Sequence, residues 1–429
     1  MALGGGIFQT QNKKLPGAYI NFVSVGNADA TLSDRGVVAM AFEQNWGANG
    51  IVTVSKADII KDARKIFGYS YTDDEMQDIR DIFKNAVTLH AYRLNGAGVK
   101  AANTFATAKY AGTRGNDLKT VIEVNVDDSN AFDVKTYLGT SLVDTQTVTS
   151  AAGLVSNDFV DFKADATLAT TAGTAFTGGT NSEVTGESHA EFLAAIEPYS
   201  FNAIATKSEE NAIKSLYIAF AERMRYDVGK KFQLVVYNHP QADNETVISV
   251  PNSSAVIPWL LGAEGGCAVN ASCTNKLYDG EADISGNVGY TQSQLEAFID
   301  AGQLAFHRVG EDIRILRDIN TLKTLTEDKG AVFQANQTIR VIDQIANDIA
   351  VLFDTKYLGV IPNNASGRIS LWNDIVKHHE QLQDLGAIEN FSDGDVVVQE
   401  GNTKQAVYVT DLVTVVNAME QLYMVVSIA

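Results

Sequence analysis

Hydrophobic and polar positions along this chain switch between the two-residue period of strands and the helical period of about 3.6 residues. Arg35-Gly-Val-Val-Ala-Met-Ala-Phe42 is a nearly unbroken apolar run, the pattern of a strand buried on both faces. In Lys56–Phe67, Ile59, Ile60, Ala63 and Phe67 fall at helical spacing, and Gly68 supplies a stop. A short helix over 75–84 and a strand over 87–93 follow, so the order strand, helix, strand predicts an α/β layer. The same order resumes further on. A helix starts at Ser188, 203–206 is a short strand, and 208–228 is a long amphipathic helix presenting Ile213, Leu216, Tyr217, Phe220 and Met224. Strands are expected at 231–237 and 246–250, and a buried helix at 254–264. A helix over 292–301 precedes paired strands turning at Gly310, and two helices over 334–353 and 369–385 lead to terminal strands.

Between these stretches the pattern changes character. From Gly96 to Gly186 the chain is rich in Thr, Ala, Gly, Val and Asp, with short alternating runs between turn clusters, which predicts a small, mostly β insertion. Its last part, 167–186, reads as a surface loop. The expected organisation is an N-terminal arm over 1–22, an α/β core over 23–95 and 187–330, and the insertion over 96–186. A C-terminal domain over 331–405 and terminal strands over 406–429 complete it. The fold class is mixed α/β and multidomain, since 429 residues exceed one compact core.

The chain's end is unusual. Leu422-Tyr-Met-Val-Val-Ser-Ile428 reads as a strand with no polar tail after it, and an unpaired strand of this kind is an aggregation hazard. It is either buried in its own subunit's sheet or donated to another subunit's. As a strand, Tyr423, Val425 and Ser427 face one side and Met424, Val426 and Ile428 the other.

The net charge of −19 weighs against a nucleic-acid partner, because no basic stripe offsets it. No run of eighteen apolar residues occurs, so no membrane insertion is expected. Cys267 and Cys273 lack the further ligands of a zinc site. His378 and His379, adjacent on a helix, read as a surface pair, since neighbouring helical positions point about 100° apart. Gly262-Ala-Glu-Gly-Gly266 follows a helix rather than a strand and reads as a packed turn. No phosphate loop and no nucleophile elbow is present, so no catalytic residue, cofactor or metal is assigned.

Several segments together resemble contractile tail sheath proteins of phages and phage-derived particles. They are Leu15-Pro-Gly-Ala-Tyr-Ile-Asn-Phe22, Tyr110-Ala-Gly-Thr-Arg-Gly-Asn-Asp-Leu118, Val250-Pro-Asn-Ser and Ile257-Pro-Trp-Leu-Leu-Gly-Ala-Glu-Gly-Gly266. Further on come Asp318-Ile-Asn-Thr-Leu322, Arg340-Val-Ile-Asp-Gln-Ile-Ala-Asn-Asp-Ile349, Gly386-Ala-Ile388 and Asn417-Ala-Met-Glu-Gln-Leu-Tyr-Met424. The resemblance implies a non-enzymatic structural subunit of a virion tail or tailocin particle, assembled in the bacterial host cytoplasm. Its partners would be further copies in hexameric rings forming a helical array, an inner tail tube protein, and baseplate and tail terminator proteins. Tyr19, Ile20 and Phe22 in the first arm, and Leu422, Tyr423, Met424, Val425, Val426 and Ile428 in the last, would link subunits by strand exchange. Glycines 4–6 and Gly401 would act as hinges. The insertion would face outward, and the helices near 334–353 and 369–385 would face the tube, with Arg340, Arg368 and Lys377 as candidate charges. Contraction to a lower-energy helix would drive the tube through an envelope without nucleotide. The alternatives are a carboxylate-dependent hydrolase and another self-assembling component, a tube or capsid protein.

Overall fold

The computed structural model describes residues 32–428, so the proposed linking residues Tyr19, Ile20 and Phe22 lie outside the described residues. Two compact units emerge: one of Ser33–Asn347 with Leu385–Glu389 and the chain end from Thr414, the other of Asp348–Asp384 and Asn390–Val413.

The larger unit is built on β1 (Val37–Phe42), β2 (Ile51–Ser55), α1 (Lys56–Phe67), α2 (Gln77–Ile82) and β3 (Thr88–Arg93). Helix α1 starts at a capping box in which Ser55 and Asp58 bond reciprocally, and it ends at Gly68 with φ 82°. After β3 comes an all-β excursion of β4 (Lys100–Ala102), β5 (Ala106–Ala111), β6 (Leu118–Val124), β7 (Phe132–Leu138), β8 (Ser141–Val148), β9 (Val160–Phe162) and β10 (Thr171–Ala175). It folds as two sheets, β10-β6-β7-β8 and β4-β5-β9, around Phe105, Ile122 and Val134 and around Trp46, Leu118, Phe159 and Phe176. The segment expected as a surface loop thus supplies a strand. β10 pairs with β6 across a bulge between Thr171 and Thr174, and its Thr/Gly/Ala composition hid it because it carries no apolar alternation.

The α/β layer then continues through α3 (Gly186–Ile196), β11 (Ala203–Thr206), α4 (Asn211–Arg223), β12 (Gln233–Tyr237), β13 (Val247–Val250) and α5 (Ile257–Gly266). The main sheet has the order β13-β12-β11-β1-β3-β2, and every pairing is parallel except β2 with β3. The central strand β1 is apolar throughout because both of its faces are covered. Val38 and Met40 pack with Ile59, Phe67, Ile79 and Leu260 of α1, α2 and α5. Ala39 packs on the other side with Phe192 and Tyr217 of α3 and α4.

The glycine cluster expected as a turn lies inside α5, where it permits close approach. A Cβ on Gly262 would stand 2.3 Å from the Ile82 carbonyl oxygen, and one on Gly266 2.1 Å from that of Asn85. Both obstacles are backbone, so the helix itself would have to move. Gly262→Ala is expected to cost about 1–3 kcal/mol, the usual penalty of overpacking, measured as a lower urea midpoint at unchanged slope. An unchanged midpoint would refute this close packing.

The larger unit also contains α6 (Gln292–Asp300) and the hairpin of β14 (Phe306–Val309) and β15 (Asp312–Ile315). Helix α7 (Asn336–Leu352) follows. The smaller unit holds α8 (Ala365–Asp384), and the chain continues through β16 (Ile388–Glu389), β17 (Val396–Glu400), β18 (Val407–Asp411) and β19 (Thr414–Val415). Strands β17 and β18 form a two-stranded antiparallel hairpin over a core of Leu352, Tyr357, Leu371, Ile375 and Val376. The expected surface histidine pair is buried in this unit. His378 Nδ1 lies 3.2 Å from His379 Nδ1, while their Nε2 atoms meet Asp348 at 2.9 Å and Asp411 at 2.7 Å. Both rings are buried because that face of α8 packs within the smaller unit, against the segment that begins at Asp348 and against the hairpin, and two carboxylates satisfy what the core would otherwise leave unpaired. The 406–429 stretch also divides differently from the expectation, because 407–411 and 414–415 pair within the chain.

Candidate functional site

The chain end is held and then released. Strand β19 pairs antiparallel with β16, after which Val416 N–H donates to Ala387 O at 3.0 Å. Gln337 on α7 clamps the next residues, its Nε2 donating to Val416 O at 3.1 Å and its Oε1 accepting from Ala418 N–H at 2.9 Å. Thr338 Oγ1 donates to Asn417 Oδ1 at 3.2 Å. Glu420 is the last anchor, accepting from Arg317 Nε at 2.7 Å and Thr274 Oγ1 at 2.8 Å.

Beyond Glu420 the segment leaves the surface. Leu422 and Tyr423 are 86% exposed, Val425 94% and Ile428 95%, and Met424 and Val426 are exposed as well. Residues 422–428 have no regular secondary structure, so the strand expected there is not formed within this chain. An apolar run of this length in water is unfavourable, since each side chain forgoes about 1.5–3 kcal/mol of burial.

The anchor rests on a buried charge cluster. Thr274 Oγ1, which donates to Glu420, accepts from the Asp318 N–H at 2.9 Å. Asp318 Oδ2 lies 3.3 Å from Arg340 Nη2, and the same nitrogen donates to Glu264 Oε2 at 2.7 Å, with all three side chains fully buried. Arg340 therefore does not stand at the surface as a candidate contact charge. Its helical neighbours Ile339 and Val341 are also buried, and α7 presents this turn inward. Two carboxylates share one guanidinium, and their surroundings separate them. Burial and then the negative charge of Asp318 push Glu264 well above its ordinary range. Asp318 also suffers burial, but Arg340, the Cys273 N–H and the Asn336 amide outweigh it and hold its carboxyl below the usual range. The same pocket thus pushes the two carboxyls in opposite directions. Glu264, Cys273 and Asp318 bring donor atoms within 4.8 Å of one another, but Arg340 already supplies the positive charge there.

Of the other expected contact charges, Arg368 is half-buried with its Nη1 3.1 Å from Asn363 Oδ1, and Lys377 is exposed on α8. The sequence reading missed the anchors Gln337, Arg317, Thr274 and Glu420, which lie far apart along the chain. It did single out the segments holding Glu264, Asp318 and Arg340, though nothing in their spacing joins the three.

Family models match the chain in succession: the tail sheath protein Gp18 domain III N-terminal region over 35–94, and the phage tail sheath protein beta-sandwich domain over 94–181. The phage tail sheath protein central domain follows over 182–321, and the phage tail sheath C-terminal domain over 328–429. The phage-like element PBSX protein XkdK of Bacillus subtilis (strain 168) is 31% identical over 99% of this chain and 100% of its own length. The crystal structure of a sheath tail protein from Desulfitobacterium hafniense is 37% identical, with a TM-score of 0.82 over 94% of this chain and 98% of that one. The helical sheath of the anti-feeding prophage in its contracted state shares the fold at 12% identity, with a TM-score of 0.56 over 97% of this chain and 99% of that one. On these grounds the chain belongs to the phage tail sheath protein family.

Proposed function

We propose that this chain polymerises as stacked hexameric rings in a helical array around an inner tail tube, and that the array contracts to drive the tube through a cell envelope. The observation that carries this reading is the exposed segment 422–428, a strand sequence left unpaired among the described residues. The hairpin β17–β18 offers a complementary surface, since a two-stranded sheet has an open edge on each side. In this reading a neighbour's Leu422, Tyr423, Met424, Val425, Val426 and Ile428 add a strand to that hairpin, main-chain bonds giving affinity and alternate side chains giving fit. The N-terminal arm with Tyr19, Ile20 and Phe22 adds another. The sandwich over 96–186 faces outward, and the unit built on α8 faces the tube, with Arg368 and Lys377 as contact charges. Baseplate and terminator proteins close the two ends, and the particle is a virion tail or tailocin assembled in the host cytoplasm.

Such a role needs no cofactor and no reaction at the subunit, since the work comes from interfaces repacking between two states. The reading is tested by producing the chain with its cognate tube protein and imaging the product by electron microscopy. Striated hollow cylinders of defined width are expected. Closed shells, or dispersed particles at every concentration and salt level, would overturn it.

A further inference from the structure

The buried histidine pair requires more hydrogens than its neutral form holds. Four side chains of the smaller unit make three contacts in series. Asp348 Oδ2 lies 2.9 Å from His378 Nε2, His378 Nδ1 lies 3.2 Å from His379 Nδ1, and His379 Nε2 lies 2.7 Å from Asp411 Oδ2. A contact of this length between two electronegative atoms needs a hydrogen between them. Ionised carboxylates only accept, and a neutral imidazole carries a hydrogen on one nitrogen alone. Two neutral rings therefore bring two hydrogens to three contacts. If both are spent on the carboxylates, the two Nδ1 lone pairs face each other with nothing between them. Solvent gives no relief, because His378 is 1% exposed and His379 is fully buried.

A third hydrogen completes the series. One ring then becomes an imidazolium, donating through Nδ1 to its neighbour and through Nε2 to its carboxylate. The surroundings suit that charge. Asp348 and Asp411 each bond one ring, and a negative group within bonding distance favours a protonated imidazole. The other elements bring apolar groups: β17 turns Val396 and Val398 to the same core, and the Phe391 ring packs 5.1 Å from that of His379. On α8 itself the flanking Lys377 and Glu380 are exposed. The positive charge thus sits between two carboxylates, the arrangement in which a buried charge costs least.

We propose that Asp348, His378, His379 and Asp411 form a binding site for one proton, shared across the Nδ1–Nδ1 contact, which fastens the end of β18 to α8 in the folded chain. Near pH 8 the unfolded chain has neutral imidazoles and ionised carboxylates, so unfolding releases this proton. The sign follows: the folded state binds more protons, and the fastening is lost as pH rises rather than as it falls through neutrality.

The test uses the full, unassembled chain labelled with 15N at histidine, at pH 8 and with a chelator present. The ring nitrogens of His378 and His379 are expected to report three N–H hydrogens over two rings. Asp411→Asn provides the comparison. Its amide donates to His379 Nε2, so His379 places its own hydrogen on Nδ1 and neutral groups meet all three contacts. In this variant both rings should be neutral. Unfolding it in guanidinium at pH 8, in weak buffer with an indicator dye, should release one proton per chain fewer than the parent. Two singly protonated rings in the parent, or equal proton release from the two proteins, would overturn the proposal. So would one equivalent of zinc or copper found by elemental analysis on the pair. Should Asp411→Asn fail to fold, the parent spectrum decides alone, and Asp348→Asn repeats the comparison from the other end. No polymer is needed, so the result is independent of whether the chain assembles as proposed above.

Discussion

Deletion of residues 422–429 is expected to leave a folded, soluble protein that no longer forms long cylinders. The physical basis is the division at Glu420. Val416, Asn417, Ala418 and Glu420 are bonded to the body of the chain, and residues 422–428 are exposed. Removing exposed residues changes stability by no more than about 0.5 kcal/mol, so the melting temperature should move by about 2 °C or less. Assembly should respond very differently. Burying six apolar side chains and satisfying a strand's main-chain groups, less the entropy of ordering the segment, leaves a net gain of about 3 kcal/mol per link. Losing it weakens each link by roughly 100-fold. Val425→Pro provides the companion test, since it keeps the length and apolar character of the segment but removes one N–H and disfavours strand pairing. Electron microscopy with the tube protein reads both variants. Full-length cylinders from the truncated chain would mean that the segment links nothing.

The second large effect concerns Arg340. Arg340→Met should destabilise the protein by about 3–5 kcal/mol, because it strands two buried carboxylates that share a single guanidinium. The pH dependence gives a distinctive check. In the variant both carboxyls would titrate above their unfolded values of about 4, so near neutral pH the native state binds more protons than the unfolded state. Stability is then lost as pH rises, and the defect should shrink steadily as pH falls toward about 4. Glu264→Gln in the same background should recover part of the loss at neutral pH. Urea denaturation at several pH values measures all three quantities. A cost below about 1 kcal/mol at neutral pH, the worth of an ordinary surface pair, would remove Arg340 from the core account.

What the sequence made legible follows the range of the forces involved. The strand at 37–42 and helix α1 were readable because periodicity and caps are local, and Ser55, Asp58 and Gly68 sit beside the helix they bound. Strand β10 was missed because an edge strand needs little apolar patterning once its partner β6 supplies the ladder. The histidine pair misled for a related reason. Two adjacent polar residues on a helix look solvated until carboxylates 30 and 32 positions away, Asp348 and Asp411, arrive to satisfy them. Arg340 shows the same limit, since a lone arginine on an amphipathic helix carries no local mark of burial. At the chain end, composition marked an apolar segment that the structure leaves exposed, whereas the point of departure at Glu420 depends on Arg317 and Thr274, more than a hundred residues away.

That point of departure sets a leash. Residues 421–428 span at most about 29 Å when fully extended, at roughly 3.6 Å per residue. Whatever surface captures the end of this segment must lie within that radius of Glu420, before and after any rearrangement of the array. Neighbouring subunits can therefore pivot or slide past one another, but a pair joined in this way can never separate by more than the tether's reach.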